Sequence, residues 1–140
     1  MRMRGYMLDT HILIWFLINS NQLNRRLYDA ICYFEENYYI SIEVLHEIVT
    51  LQELNKVDTG MTIRQIAEIL NKYDIKILPI SIDHLEKLER LSVPVINGKE
   101  HLDPMDRIMI AQSICEKMIL ISSDEKFVFY KDRGFQLMEN

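Results

Sequence analysis

An α/β fold, a three-layer sandwich whose central and mainly parallel sheet lies between helices, follows from three features of this 140-residue chain. The apolar runs Tyr6-Met7-Leu8, Tyr38-Tyr39-Ile40 and Met118 to Ile121 are short enough for strands and too short for helices. Between them lie longer stretches of helical periodicity, and that alternation is the pattern of a parallel sheet covered on both faces. Each run also gives out near polar residues suited to starting a helix, with Asp9, Ser41 and Asp124 close beyond.

Taken in order, Tyr6 to Leu8 predicts a buried strand ending at Asp9. An apolar helix through Ile12, Leu13, Trp15, Phe16 and Leu17 follows, stopped by Asn19-Ser20-Asn21. Leu23, Leu27, Ile31 and Phe34 recur at helical spacing and predict a second helix ending near Asn37. After the Tyr38–Ile40 strand, Ser41 caps a helix with Glu43 in its first turn, where the helix dipole favours an acid. Thr62 and Gln65 have the spacing of a capping box, opening a helix that turns Ile66, Ala67 and Leu70 inward. Ile75 to Ile80 contains Pro79, which predicts an edge strand or a strand end, since proline cannot donate to a ladder. Ser81 then caps a helix that uses Leu85, Leu88 and Leu91. Ser92 to Leu102 is the longest non-periodic stretch and is a candidate substrate loop. A helix from Pro104 carries Ile108, Ala111 and Cys115 inward; the Met118–Ile121 strand, a short helix to Tyr130, the Gly134 turn and Phe135 to Met138 complete the order.

With 49% hydrophobic residues, few Gly and Pro, and no repeat or low-complexity run, residues 1–140 are expected to fold as a single domain. Cys32 and Cys115 have no CxxC companion and are expected to be buried core thiols. Met1-Arg2-Met3-Arg4 resembles the start of a signal peptide, but Asp9 and His11 interrupt the apolar stretch that should follow, so a cytoplasmic location is expected. No apolar run approaches the ~20 residues that cross a bilayer. The net charge of −5 disfavours a nucleic-acid partner only weakly: taking Asp9, Glu47, Asp103, Asp106 and Asp124 from the 21 acids leaves 16, equal to the 16 Lys and Arg. Divalent ions on those acids would invert the local field.

Four carboxylates carry the chemistry. Asp9, Asp106 and Asp124 stand near predicted strand ends or a helix start, and Glu47 lies about one turn into its helix beside the apolar stripe of Val44, Ile48 and Leu51. In an open parallel sheet such positions converge, and oxygen donors suit hard cations. Capping is the competing explanation for Asp9, Asp124, and the Asp103-Pro104-Met105-Asp106 start, where Asp at N-cap, Pro at N1 and Asp at N3 are all favourable. Capping does not account for Glu47, because a carboxylate at the inward edge of a helix is costly without a partner. His11, His46, His84 and His101 show no paired metal spacing and are expected to serve packing or the surface, His101 being the one near the acids. Dinucleotide, Walker, nucleophile-elbow and Cys-His motifs are absent.

These residues resemble the PIN-domain ribonucleases, in particular VapC-like toxins of toxin–antitoxin pairs. The resemblance spans essentially the whole chain and is carried by Leu8-Asp9-Thr10-His11-Ile12-Leu13-Ile14-Trp15, by Ser41 through Glu47-Ile48, by His101-Leu102-Asp103-Pro104-Met105-Asp106-Arg107-Ile108-Met109-Ile110-Ala111-Gln112, and by Leu120-Ile121-Ser122-Ser123-Asp124. It implies that Asp9, Glu47, Asp106 and Asp124 gather as catalytic and metal-binding residues for Mg²⁺ or Mn²⁺. Thr10, Ser122 and Asp103 would support them. The chain departs from the commoner pattern at Ser113, where Ala is usual, and at Ser122-Ser123, where Thr-x is common; neither departure threatens metal binding. The implied reaction is hydrolysis of an RNA phosphodiester by water activated at one or two ions, leaving a 5′-phosphate and a 3′-hydroxyl.

The resemblance further implies a cognate antitoxin that covers the acidic site, and a toxin homodimer. An aspartyl-nucleophile phosphatase would want a second Asp where His11 stands, and a receiver domain would want an acidic pair before its first strand end. A PIN-like module that binds RNA or protein without cutting is the remaining rival, and it has no need to bear the repulsion of four acids. No readable code for a particular RNA is present.

Overall fold

The computed structural model describes residues 5–140, so Met1-Arg2-Met3-Arg4 lies outside the described residues. In chain order the elements are β1 (Gly5–Leu8), α1 (Thr10–Leu17), α2 (Arg25–Cys32), β2 (Asn37–Ser41), α3 (Ile42–Glu53), α4 (Ile63–Lys72), β3 (Ile75–Leu78), α5 (Ile82–Glu89), β4 (Val95–Ile96), β5 (Lys99–Glu100), α6 (Pro104–Cys115), β6 (Ile119–Ser122), a 3₁₀ helix (Glu125–Phe129) and β7 (Gln136–Glu139). Five strands form one sheet in the order β3-β2-β1-β6-β7, every neighbouring pair parallel, and helices flank it in an α/β/α arrangement. The predicted fold class is borne out. Among the described residues no helix is long and apolar enough to cross a membrane.

The topology locates the functional end. From β1 the chain steps outward through β2 to β3, then returns on the other side of β1 as β6, so the strand order reverses between β1 and β6. At such a reversal the connections beyond the carboxyl ends diverge and leave a crevice. Register sets what faces it: Met7 lies beside Tyr39 and Leu120, while Leu8 lies beside Ile121. Met7, Leu8, Ile40 and Leu120 are fully buried. Burying each such side chain stabilises the fold by about 1.5–3 kcal/mol relative to exposure.

Local chemistry explains the helix starts. Asp9, Asn24, Ser41, Thr62, Ser81 and Asp103 are the N-caps of α1 to α6, each accepting a backbone N–H with its side-chain oxygen. Thr62 and Gln65 make the predicted capping box. Asn19, Phe34, Asn55, Asp74 and Lys117 follow α1, α2, α3, α4 and α6 with φ between 51° and 57°, the left-handed stop usually given to glycine. Phe34 therefore ends α2 instead of belonging to its inward stripe, and its ring is exposed.

Two other expectations are corrected. In α5 the buried residue is His84, at 2% exposure, and Leu85 points outward. Cys32 and Cys115 are half-buried free thiols. The 92–102 stretch holds a small hairpin, β4 against β5, whose turn residues Asn97 and Gly98 have φ of 51° and 78°. Paired positive φ values match the right-handed twist of the flanking strands, and an Asn-Gly turn supplies them with little strain. β3 is an edge strand, with Pro79 directly after it, as proline in that run requires.

Candidate active site

Asp9 and Ser122 meet because of strand register. Leu8 of β1 lies opposite Ile121 of β6, so the next residues face each other and, by the two-residue alternation of strands, turn to the same side of the sheet. Asp9 N–H donates to the Ile121 carbonyl at 3.0 Å, carrying the pairing to the last position. The Ser122 hydroxyl donates to Asp9 Oδ2 at 2.6 Å, and Thr10 N–H donates to Asp9 Oδ1 at 2.7 Å. Asp124 N–H donates to Ser122 Oγ at 3.0 Å, which directs the serine's own proton toward Asp9. Thr10 and Ser122 are fully buried, and Asp9 is nearly so.

Burial raises the Asp9 carboxyl above its ordinary value. Ser122 and the Thr10 N–H pull it back, the charge of Glu47 pushes the same way as burial, and His11 opposes. Asp106, in the first turn of α6, is pushed up to about 8, first by burial and then by the charges of Asp103, Asp9, Asp124 and Glu47. One carboxyl thus feels all the others, and all five acids singled out by sequence lie in one field.

Their other duties differ. Asp103 is exposed and accepts from the backbone N–H groups of Met105 and Asp106 at 3.0 and 3.1 Å, so its cap role is met in full. Asp124 caps the 3₁₀ helix through Lys126 N–H at 2.9 Å. Asp106 has no capping duty for its carboxylate, because Asp103 has taken it, and its Oδ2 lies 3.2 Å from His101 Nε2. Glu47 is half-buried on α3, and among the described residues it makes no hydrogen bond or ion pair. No lysine or arginine forms an ion pair with Asp9, Glu47, Asp106 or Asp124 among the described residues. Arg107, adjacent to Asp106 in sequence, turns its guanidinium to the Ser92 carbonyl at 2.8 Å and the Tyr130 hydroxyl at 3.1 Å.

Among the described residues, no three His, Cys, Asp or Glu side chains are drawn close enough together to hold an ion as they stand. The donor set itself fits a hard divalent cation: all carboxylate oxygens, no thiolate, and, among the described residues, no lysine or arginine paired with them. Sequence reasoning did not find Tyr130, whose hydroxyl donates to the His101 carbonyl at 3.1 Å; the two residues are far apart in the chain, and Tyr130 reads as an ordinary core aromatic.

A PIN domain profile matches residues 6–131. No curated protein matches the sequence. Among solved structures, VapBC2 from Rickettsia felis bound to a DNA fragment from its promoter aligns at a TM-score of 0.71 with 16% identity, covering 97% of this chain and 98% of that one. DNA-bound VapBC from Salmonella typhimurium aligns at 0.63 with 12% identity over 98% of each chain. A toxin–antitoxin complex from Klebsiella pneumoniae aligns at 0.61 with 19% identity over 95% of each chain. At these identities the likeness is one of fold.

Proposed function

The chain belongs to the PIN domain family, and from that premise we propose that it is a Mg²⁺- or Mn²⁺-dependent endoribonuclease, the toxin of a toxin–antitoxin pair. The observation that carries the reading is a set of acids at the ends of β1 and β6 and the start of α6 with no lysine or arginine partner among the described residues, Asp9 being buried and oriented by Ser122 and Thr10 N–H, and the Asp106 carboxyl raised by burial and by its acidic neighbours. Retaining such a cluster makes sense for chemistry and not for packing.

Asp9, Glu47, Asp106 and Asp124 are the residues that would hold the cation, with Thr10, Ser122 and Asp103 in support. A divalent cation bound by them supplies a lowered pKa for water and neutralises charge at phosphorus. The chain's own residues do the orienting. Thr10 N–H and Ser122 Oγ–H each take one oxygen of Asp9, fixing the plane of its carboxylate and leaving lone pairs on both oxygens for further contacts. Asp103 ties the start of α6 and so sets where Asp106 stands.

The proposal extends to residues 1–140 acting as one cytoplasmic domain, to a cognate antitoxin and to a homodimer. Three solved structures similar in fold are VapBC or toxin–antitoxin complexes, two of them on DNA, which supports an antitoxin partner here. The direct test is incubation of the purified protein with structured RNA and Mn²⁺. Cleavage that EDTA stops supports the reading; RNA bound but uncut in Mn²⁺ favours the binding-only module.

A further inference from the structure

We infer that His101 is a positioning residue for Asp106, held in place by Tyr130 and Arg107 through a closed ring of contacts that returns to α6. The inference rests on the metal-dependent reading of the acidic site and adds to it a residue outside the carboxylate set.

His101 follows the β4–β5 hairpin and precedes the Asp103 cap by two residues, a connecting position where side chains usually face water. Its imidazole is instead 9% exposed. Among the described residues the ring makes one hydrogen bond, Nε2 to Asp106 Oδ2 at 3.2 Å, and Nδ1 is buried without a partner. The ring is seated by its contact with Asp106 and by packing edge-on against Tyr130.

The backbone of His101 is tied from both sides. Its N–H donates to the Pro94 carbonyl at 2.9 Å, and its carbonyl accepts from the Tyr130 hydroxyl at 3.1 Å. The Tyr130 ring stands edge-on to the imidazole, centroids 5.5 Å apart. Arg107 Nη1 donates both to that hydroxyl and to the Ser92 carbonyl, gathering the two ends of the loop. Asp132 holds Ser92 a second time, through its N–H and its hydroxyl. Arg107 is the next residue to Asp106 on α6. The element that carries the acid therefore also carries the anchor of the loop whose histidine holds that acid.

Asp106 needs holding. The adjacent Arg107 guanidinium is committed to Ser92 and Tyr130, so among the described residues His101 is the one side chain that hydrogen-bonds the Asp106 carboxyl. A donor at the His101 Nε2 position fixes its orientation, and an uncharged imidazole suffices, so the role does not depend on His101 changing its protonation state. Residues that orient metal ligands typically change affinity or activity by about 10- to 100-fold when removed.

The test is calorimetric titration with Mn²⁺ alone, alongside RNA cleavage and a thermal melt, on the wild type, His101→Gln, His101→Asn, His101→Ala and Tyr130→Phe. Glutamine places an amide N–H₂ at the same bond distance from Cβ as Nε2, and asparagine at that of Nδ1. The expected result is a loss of Mn²⁺ affinity of about 10- to 100-fold in the Ala and Asn variants, with kcat lowered and KM for RNA held. Gln should recover binding to within a few-fold of the wild type, and Tyr130→Phe should lose a few-fold. His101→Ala that folds and binds Mn²⁺ as tightly as the wild type overturns the inference and leaves the nuclease reading standing. So do Gln and Asn variants that behave alike, and this pair decides the matter if the Ala variant does not fold. A wild type that neither binds Mn²⁺ nor cuts RNA overturns both.

Discussion

The Ser122 hydroxyl donates to Asp9 Oδ2 at 2.6 Å, joining the ends of β6 and β1 at the point where the strand order reverses. The same hydroxyl accepts from Asp124 N–H at 3.0 Å while donating to Asp9, and among the described residues no lysine or arginine pairs with Asp9.

Removing that hydroxyl leaves a buried Asp9 with a single remaining hydrogen bond, from Thr10 N–H. Ser122→Ala should therefore raise the Asp9 carboxyl further and lower RNA cleavage about tenfold or more. Ser122→Thr keeps the hydroxyl and should stay near the wild type. Single-turnover cleavage rates at saturating Mn²⁺ separate the two; equal rates for the Ala variant and the wild type would remove Ser122 from the site.

Asp9→Asn keeps the shape and loses the charge. Cleavage should drop to background while the far-ultraviolet circular dichroism spectrum stays that of the wild type. The metal-free melting temperature should rise at neutral pH, because a buried carboxylate repelled by Glu47 has become a neutral amide. Undiminished cleavage by this variant would sink the assignment of Asp9.

The raised Asp106 carboxyl makes metal-free stability depend on pH. In the unfolded chain the group ionises near 3.8, and in the folded protein near 8, so between these values the unfolded state binds fewer protons. Stability then falls as pH rises through that window, by at most about 1.4 kcal/mol per unit from this group, and is unaffected by it below the window. Asp106→Asn abolishes this contribution. In EDTA the variant should melt several degrees above the wild type at pH 7 and level with it near pH 4. Chemical melts across that range check the sign; a variant less stable than the wild type at pH 7 contradicts it.

The two buried histidines should separate cleanly. His84 Nδ1 accepts from Ser81 N–H at 3.0 Å, and its Nε2 lies 2.9 Å from Glu116 Oε2, so it completes a capping box on α5 and ties that helix to the end of α6. His84→Ala should cost about 2–4 kcal/mol from lost packing and hydrogen bonds. Mn²⁺ affinity should not change. Urea unfolding and calorimetry measure the two quantities independently.

The strands at the centre of the sheet were legible because runs such as Tyr6-Met7-Leu8 and Ile119-Leu120-Ile121 are buried on both faces and end at polar residues. The Thr62–Gln65 box was legible for the same local reason: both partners lie within one turn. Reading failed where a residue type hid its role. Ser81 and His84 form a second capping box, but the usual partner at that spacing is Glu or Gln, so the spacing does not announce His84 as the cap partner, and the apolar Leu85 reads as the inward residue. Phe34 continued the apolar spacing of α2, yet it occupies the left-handed stop beyond the helix. At the candidate site, the strand-end acids could be picked out from position alone. The Tyr130–His101–Asp106 chain could not, because its link from Tyr130 spans distant sequence and carries no periodic or local signal.

The central claim is hydrolysis by water at a carboxylate-bound cation, and the chemistry of the cut ends tests it most directly. Structured RNA cut by the wild-type protein in Mn²⁺ should carry 5′-phosphate and 3′-hydroxyl termini, and EDTA should stop the reaction, because the attacking oxygen comes from water and not from the ribose. Cleavage that persists in EDTA, or ends bearing a 2′,3′-cyclic phosphate and a 5′-hydroxyl, would contradict the account.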